Sequence, residues 1–252
     1  FLNILLKPLR RLSFVIEKIF IKDKMKQDEV LLGAWNTIPS PFVTEVIASA
    51  GVDFVIVDFE HGPLNMSELS SYFNSAIVYK VSPIARIPIT CDWLAQQCLD
   101  QGAHGLIYPH IKDKEDVKRI CDYSKYPPVG KRGFSPFTKA TSFNDKKFAS
   151  YPQYANENLI NIALVEDLEG LGNIEEISSD KQIDVVYFGA YDISSALGIP
   201  GQTRNKIVLD AIFKAAAIVR SHGKYVGGFL CTDARDGKWL VEKGMNFIVY
   251  QV

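Results

Sequence analysis

The chain has 252 residues, 47% apolar and 23% charged, with a formal net charge of −1. That balance suits a globular protein with a large core, and its near-neutrality removes the positive field that nucleic acid or an acidic membrane would need, so no nucleic-acid partner is expected. No apolar run reaches the roughly 18 residues of a membrane span. The four cysteines, without a C-x-x-C pair, read as a reduced, cytoplasmic thiol set.

Residues 1–28 form an extension before the main domain, 29–252. Leu5, Leu9, Leu12, Ile16, Ile19 and Phe20 fall roughly on one helical face, with Lys7, Arg10, Arg11, Lys18 and Lys22 elsewhere. A basic amphipathic helix of this kind can lie on a membrane surface. Glu17 and Asp23 interrupt the basic face, which favours a helix that caps the main domain or packs on a neighbouring subunit. The chain starts without Met and stops inside an apolar run, so it reads as part of a longer polypeptide.

From residue 31 onward, short β-branched runs alternate with longer amphipathic or polar stretches. The runs are 31–35, 54–58, 83–87, 105–109, 160–166, 184–189, 225–230 and 246–251. Near-continuous apolar strands separated by helical segments indicate a parallel sheet buried on both faces. Eight such units in about 250 residues predict an α/β fold of the (β/α)8 TIM-barrel type. No G-x-G-x-x-G follows the first run, which argues against a dinucleotide fold. Helices are predicted at 41–50, 92–100 and 207–221, each stopping before a glycine. The stretch 122–158, rich in Tyr, Pro, Lys and Ser, reads as a long loop, a lid or an interface element.

In such a barrel, chemistry gathers at the C-terminal ends of strands. Run two ends in Asp58-Phe59-Glu60-His61-Gly62-Pro63, run three carries Arg86, run five ends in Glu166, and run six leads through Gly189, Ala190 and Tyr191 into Asp192. Glu166 and Asp192 come from consecutive strands. Two carboxylates without cysteine or a histidine pair suit a hard divalent ion such as Mg²⁺ or Mn²⁺. From position alone, capping of the following helices competes equally. Arg86, inside an apolar run, must reach the rim or be paired; it either holds a carboxylate or enolate oxygen, or bridges to Asp58 or Glu60. His61, before a tight turn, is a candidate acid/base. No lysine lies within the eight runs, since Lys80 and Lys224 precede strands, so Schiff-base aldol chemistry is not indicated. Gly227-Gly228 is too short a signal for a phosphate site.

With these residues in place, the chain from about residue 31 to its end resembles the class II, metal-dependent pyruvate aldolases of the aldolase/citrate lyase family. That group includes 4-hydroxy-2-oxoheptanedioate aldolase and 2-keto-3-deoxy-L-rhamnonate aldolase. The resemblance rests on Gly33-Ala34-Trp35, Ala50-Gly51-Val52-Asp53-Phe54, Asp58-x-Glu60-His61-Gly62-Pro63 and Arg86-Ile87-Pro88. It continues through Tyr126-Pro127-Pro128-x-Gly130-x-Arg132-Gly133, Val165-Glu166, Gly189-x-x-Asp192-Ile193-Ser194 and Leu197-Gly198.

The resemblance implies a phosphoenolpyruvate/pyruvate-type barrel with a divalent metal (Mg²⁺, Mn²⁺ or Co²⁺) on Glu166 and Asp192. His61 would be the acid/base and Arg86 the holder of the 2-oxo oxygen. It implies Trp35 as a wall on the pyruvate side, backbone N–H groups near Tyr191 and Asp192 for the carboxylate, and Asp58 or Asp100 orienting His61. Substrates would be a 2-oxo acid and an aldehyde, and the assembly a homo-oligomer, trimer or hexamer, whose swapped last helix would lie beyond Val252. Leu164 stands where the family usually has glutamine, and bulky Tyr191 follows Ala190 where small residues are common, which points to altered substrate contacts. A citryl- or malyl-thioester lyase and a non-catalytic barrel subunit are the competing readings.

Overall fold

The computed structural model describes residues 20–88, 91–143 and 149–252. Eight parallel strands follow the chain around a barrel: β1 (Leu31–Asn36), β2 (Phe54–Asp58), β3 (Ser82–Arg86), β4 (Gly105–Tyr108), β5 (Ile160–Val165), β6 (Val185–Phe188), β7 (Tyr225–Gly228) and β8 (Phe247–Gln251). β2 through β7 are buried along their whole length, the signature of a sheet covered by helices outside and filled by side chains inside. The expected (β/α)8 barrel is therefore the fold, and the runs differ from the strands by only one or two residues at an end.

Every neighbouring pair from β8 through β1 to β7 forms a continuous parallel ladder. The β7–β8 seam is sparser. Asn246 donates its N–H to the Val226 carbonyl (3.1 Å) and accepts the Val226 N–H on its side chain (2.9 Å), and a bridge joins Cys231 to Tyr250.

Around the strands lie α1 (Phe20–Lys26), α2 (Pro41–Ser49), α3 (Leu69–Ile77), α4 (Asp92–Asp100), α5 (Lys114–Ser124), α6 (Tyr151–Asn158), α7 (Leu168–Gly172), α8 (Ile174–Ser179), α9 (Ala190–Ala196), α10 (Lys206–Ser221) and α11 (Ala234–Glu242). Asp113, Asp167, Asn205 and Asp233 cap α5, α7, α10 and α11 by accepting first-turn N–H groups. The expected loop 122–158 is bracketed by helix: α5 runs to Ser124 and α6 fills its end. The α6 sequence YPQYANEN has little apolar periodicity, which hid it from a pattern-based reading.

Of the expected N-terminal helix, α1 is seen; residues 1–19 lie outside the described residues. Ile21 is buried against the barrel, and its N–H reaches Ser82 at the start of β3 (3.4 Å). Lys22 pairs with Asp184 before β6 (2.5 Å), and Lys24 with Asp53 before β2 (2.6 Å). This segment caps the N-terminal end of the barrel. Among the described residues, no helix is long and apolar enough to cross a membrane.

Candidate active site

At the opposite end, where strands give way to their following loops, a cavity of about 300 Å³ opens. Trp35, Asp58, His61, Arg86, Leu164 and Glu166 form one side of its lining. Gly189, Ala190, Tyr191 and Asp192 form another, and Tyr187, Phe229 and Leu230 contribute further wall.

Asp58 organises the first side. It is the last residue of β2 and 1% exposed. Its Oδ2 accepts Trp35 Nε1 (2.8 Å) and Arg86 Nη1 (3.3 Å), and its Oδ1 accepts the backbone N–H groups of Glu60 (2.9 Å) and His61 (3.0 Å). Parallel register sets Asp58 directly beside Arg86, the last residue of β3. Arg86 also pairs with Glu60 through Nη2 at 2.5 Å and lies 5.3 Å from the centre of the Trp35 ring. The bridge to Asp58 and Glu60 is thus observed, and Arg86 also lines the cavity. Its buried Nε has no hydrogen-bond partner.

His61 is exposed at the cavity mouth. Asp58 holds its backbone, and no hydrogen bond from Asp58 or Asp100 to the ring is observed. Asp100 is placed elsewhere. It ends α4, which runs back toward the N-terminal side of the barrel, and it takes Arg132 Nη2 at 2.7 Å. The Arg132 side chain is fully buried and stacked on the Tyr126 ring, so it needs that counter-charge. Asp100 is absent from the cavity wall.

Glu166 follows β5 and is 4% exposed. It caps no helix; Asp167 caps α7, and α9 starts at Gly189 without a side-chain cap. Capping therefore does not account for either carboxylate. Burial pushes the Glu166 carboxyl above its ordinary range, with Asp192 adding to the rise and His110 and Arg86 opposing it. Asp192 is exposed in the first turn of α9. The turn between β6 and α9 closes tightly over Glu166: a Cβ on Gly189 would lie 2.7 Å from Glu166 Cβ and 3.1 Å from its Oε2.

A buried carboxylate raised by desolvation, facing a second carboxylate, fits a divalent cation that would offset both charges. Among the described residues, no cluster of three or more His, Cys, Asp or Glu suited to a metal occurs. Such an ion would keep its remaining positions for water and substrate.

Sequence reasoning passed over Tyr187 in the cavity wall and His110 behind it. Tyr187, at the third position of β6, lies 5.6 Å from Trp35 ring to ring and donates its hydroxyl to the Phe229 carbonyl (2.8 Å). His110, two residues past β4, donates its backbone N–H to Glu166 Oε1 (2.9 Å) and sets Nδ1 3.0 Å from the same oxygen. The rule that led to His61, inspection of polar residues just beyond strand ends, reaches His110 as well.

Residues 31–250 match the model of the HpcH/HpaI aldolase/citrate lyase family. The chain belongs to this family. It is accordingly an enzyme of the aldolase type, a lyase that acts on carbon–carbon bonds. It is 30% identical to a pyruvate aldolase of Rhizobium etli over 226 residues, 90% of this chain and 88% of that one. Among solved structures, an HpcH/HpaI aldolase from Desulfitobacterium hafniense superposes with a TM-score of 0.86 at 30% identity, covering 92% of this chain and 90% of the other. Citrate synthase SbnG superposes with a TM-score of 0.83 at 32% identity, covering 93% and 91%.

Proposed function

We propose that the protein cleaves or forms 4-hydroxy-2-oxo acids, with pyruvate or a close analogue as one fragment and an aldehyde as the other. The observation that carries this reading is the convergence of Arg86, His61, Glu166 and Asp192 on one cavity. Glu166 and Asp192 would hold Mg²⁺, Mn²⁺ or Co²⁺, which when bound supplies Lewis-acid polarisation of the 2-oxo carbonyl. Arg86, fixed by Asp58 and Glu60, lines the cavity and would meet the developing enolate oxygen with its guanidinium. The N–H groups of Ala190, Tyr191 and Asp192, in the first turn of α9, have no acceptor within the helix and suit the substrate carboxylate. Trp35 walls the pyruvate side.

In the cleavage direction His61 removes the proton from the C4 hydroxyl. The C3–C4 bond breaks as the aldehyde carbonyl forms, and its electron pair becomes the enolate that Arg86 stabilises. Protonation at C3 then yields pyruvate, and the reverse sequence builds the bond. The free cysteines fit a cytoplasmic setting. Exposed Phe137 and Phe143, on the segment between α5 and α6, fit an interface of a homo-oligomer, trimer or hexamer; a monomer by light scattering would remove that reading.

The deciding experiment follows exchange of the pyruvate methyl protons in D₂O. Exchange should need Mn²⁺ or Mg²⁺ and stop in chelator; undiminished exchange after exhaustive metal removal rejects the metal-assisted mechanism. The likeness to citrate synthase SbnG supports a second reading, condensation to citrate, which predicts citrate formation where aldehydes give no product.

A further inference from the structure

Between β4 and α5 the chain makes an uncommon turn. His110 has φ 54°, in the left-handed region that side-chain-bearing residues seldom adopt. The turn is held from both sides. Ile111 donates its N–H to the Leu164 carbonyl of β5 (3.1 Å), and Asn173 donates its side-chain amide to the Lys112 carbonyl (2.9 Å). Lys112 pairs with Asp167 at 3.3 Å. Gly170 leaves room for this approach, because a Cβ there would lie 2.6 Å from the Ile111 carbonyl oxygen. An unfavourable backbone conformation persists where its surroundings over-determine it.

The result of that conformation is specific. The His110 backbone N–H and ring Nδ1 both converge on a single oxygen, Glu166 Oε1, at 2.9 and 3.0 Å. A carboxylate oxygen only accepts, so Nδ1 carries the proton in this contact, and a neutral imidazole is sufficient for it. The other oxygen, Oε2, faces the turn at Gly189 that leads to Asp192. Although His110 holds Glu166, it does not itself line the cavity.

We propose that His110 is a positioning residue for the metal carboxylate. It engages Oε1 from behind with two donors, fixes the rotation of the Glu166 carboxylate, and reserves Oε2 for the divalent ion shared with Asp192. The inference rests on the metal reading above and adds to it a residue that acts only through Glu166. Partners of this kind, hydrogen-bonded to a ligating group, typically carry about 10–100-fold of metal affinity.

The test compares His110→Gly with His110→Asn in the intact protein, by calorimetric titration with Mn²⁺ alone. Both replacements suit φ 54°, so neither strains the turn. Asn carries an amide N–H close to where Nδ1 sits, whereas Gly leaves only the backbone donor. His110→Gly should weaken Mn²⁺ binding by about 10–100-fold, and His110→Asn should bind much as the wild type does. Wild-type affinity or better in His110→Gly overturns the proposal, and so does equal weakening in both variants. If the wild-type protein itself fails to bind Mn²⁺, the metal reading falls and this inference with it. Binding by the wild type that is untouched in His110→Gly removes this inference alone.

Discussion

The two ends of the barrel are built from the same residue types and treat charge in opposite ways. At the N-terminal end, several charges of the described residues close on partners that tie the barrel together. Lys22 closes on Asp184 and Lys24 on Asp53; Lys125 donates to the Asn156 and Leu159 carbonyls, and Lys224 to those of Asp180 and Ile183. At the C-terminal end, Glu166 sits buried beside a second carboxylate, Arg86 keeps an unpartnered Nε, and His110 is held in a left-handed conformation. One end spends its polar groups on holding the barrel together. The other leaves them incompletely matched, and that unmatched chemistry is what a substrate and an ion can complete.

The contrast breaks most visibly at Glu166. Glu166→Ala should abolish Mn²⁺ binding and pyruvate proton exchange, since one remaining carboxylate holds such an ion poorly. The metal-free variant should melt no lower than wild type, because a buried carboxyl raised by desolvation is a liability to the fold. A clear loss of stability would place Glu166 with the structural charges instead.

Arg86→Lys should lower turnover by about 10²-fold, comparable with loss of one oxyanion donor, because a point-charge ammonium cannot reproduce the forked contacts with Asp58 and Glu60 while keeping a donor spare. Turnover near wild type would make Arg86 a structural bridge.

A smaller effect is expected at Leu164 and Tyr191. Leu164 is buried in the cavity wall and Tyr191 stands exposed at its mouth. Leu164→Gln combined with Tyr191→Ala should shift preference among aldehydes by roughly 10–200-fold, the scale of apolar discrimination, while pyruvate proton exchange persists. Loss of exchange in a folded variant would assign these two residues to the chemistry.

The smallest effect on activity belongs to the matched end. His104 is buried before β4 with Nδ1 3.1 Å from Ser82 Oγ, and burial, with Lys139 adding to it, pushes its pKa down to about 3 from 6.5. Below pH 6.5 the unfolded chain takes up a proton that the folded protein refuses. Stability is therefore lost as pH falls from 6.5 toward 3, by about 1 kcal/mol per pH unit from this residue. His104→Gln should flatten that slope in urea melts at pH 5 and 7 and leave turnover at pH 7 unchanged. Melts with the same pH dependence as wild type would show that His104 does not set it.

Much of this was legible in the chain alone, for identifiable reasons. A strand buried on both faces writes itself as an unbroken apolar run, so β2 and β5 were readable nearly to the residue, and Glu166 and Asp192 followed because strand ends locate the rim. Asp100 misled because its place depends on the direction of α4 and on the demand of buried Arg132, neither of which leaves a local mark. The His110–Glu166 contact spans 56 positions and depends on a backbone torsion, so no spacing announces it. Among the described residues of the segment from Asp122 to Asn158, none lines the cavity.

The sparse seam between β7 and β8 has a mechanical consequence. Glu166 and Asp192 follow β5 and β6, adjacent strands joined by an unbroken ladder, which keeps that half of the cavity stiff. Phe229 and Leu230 follow β7, whose β8 side is closed only by the Asn246 bonds and one bridge, and Phe229 itself stands at φ 67°. Fewer shared hydrogen bonds mean a lower free energy of local opening. Local opening is therefore expected first along the β7–β8 seam, one strand away from the β5–β6 pair that carries Glu166 and Asp192, and amide hydrogen exchange would show it.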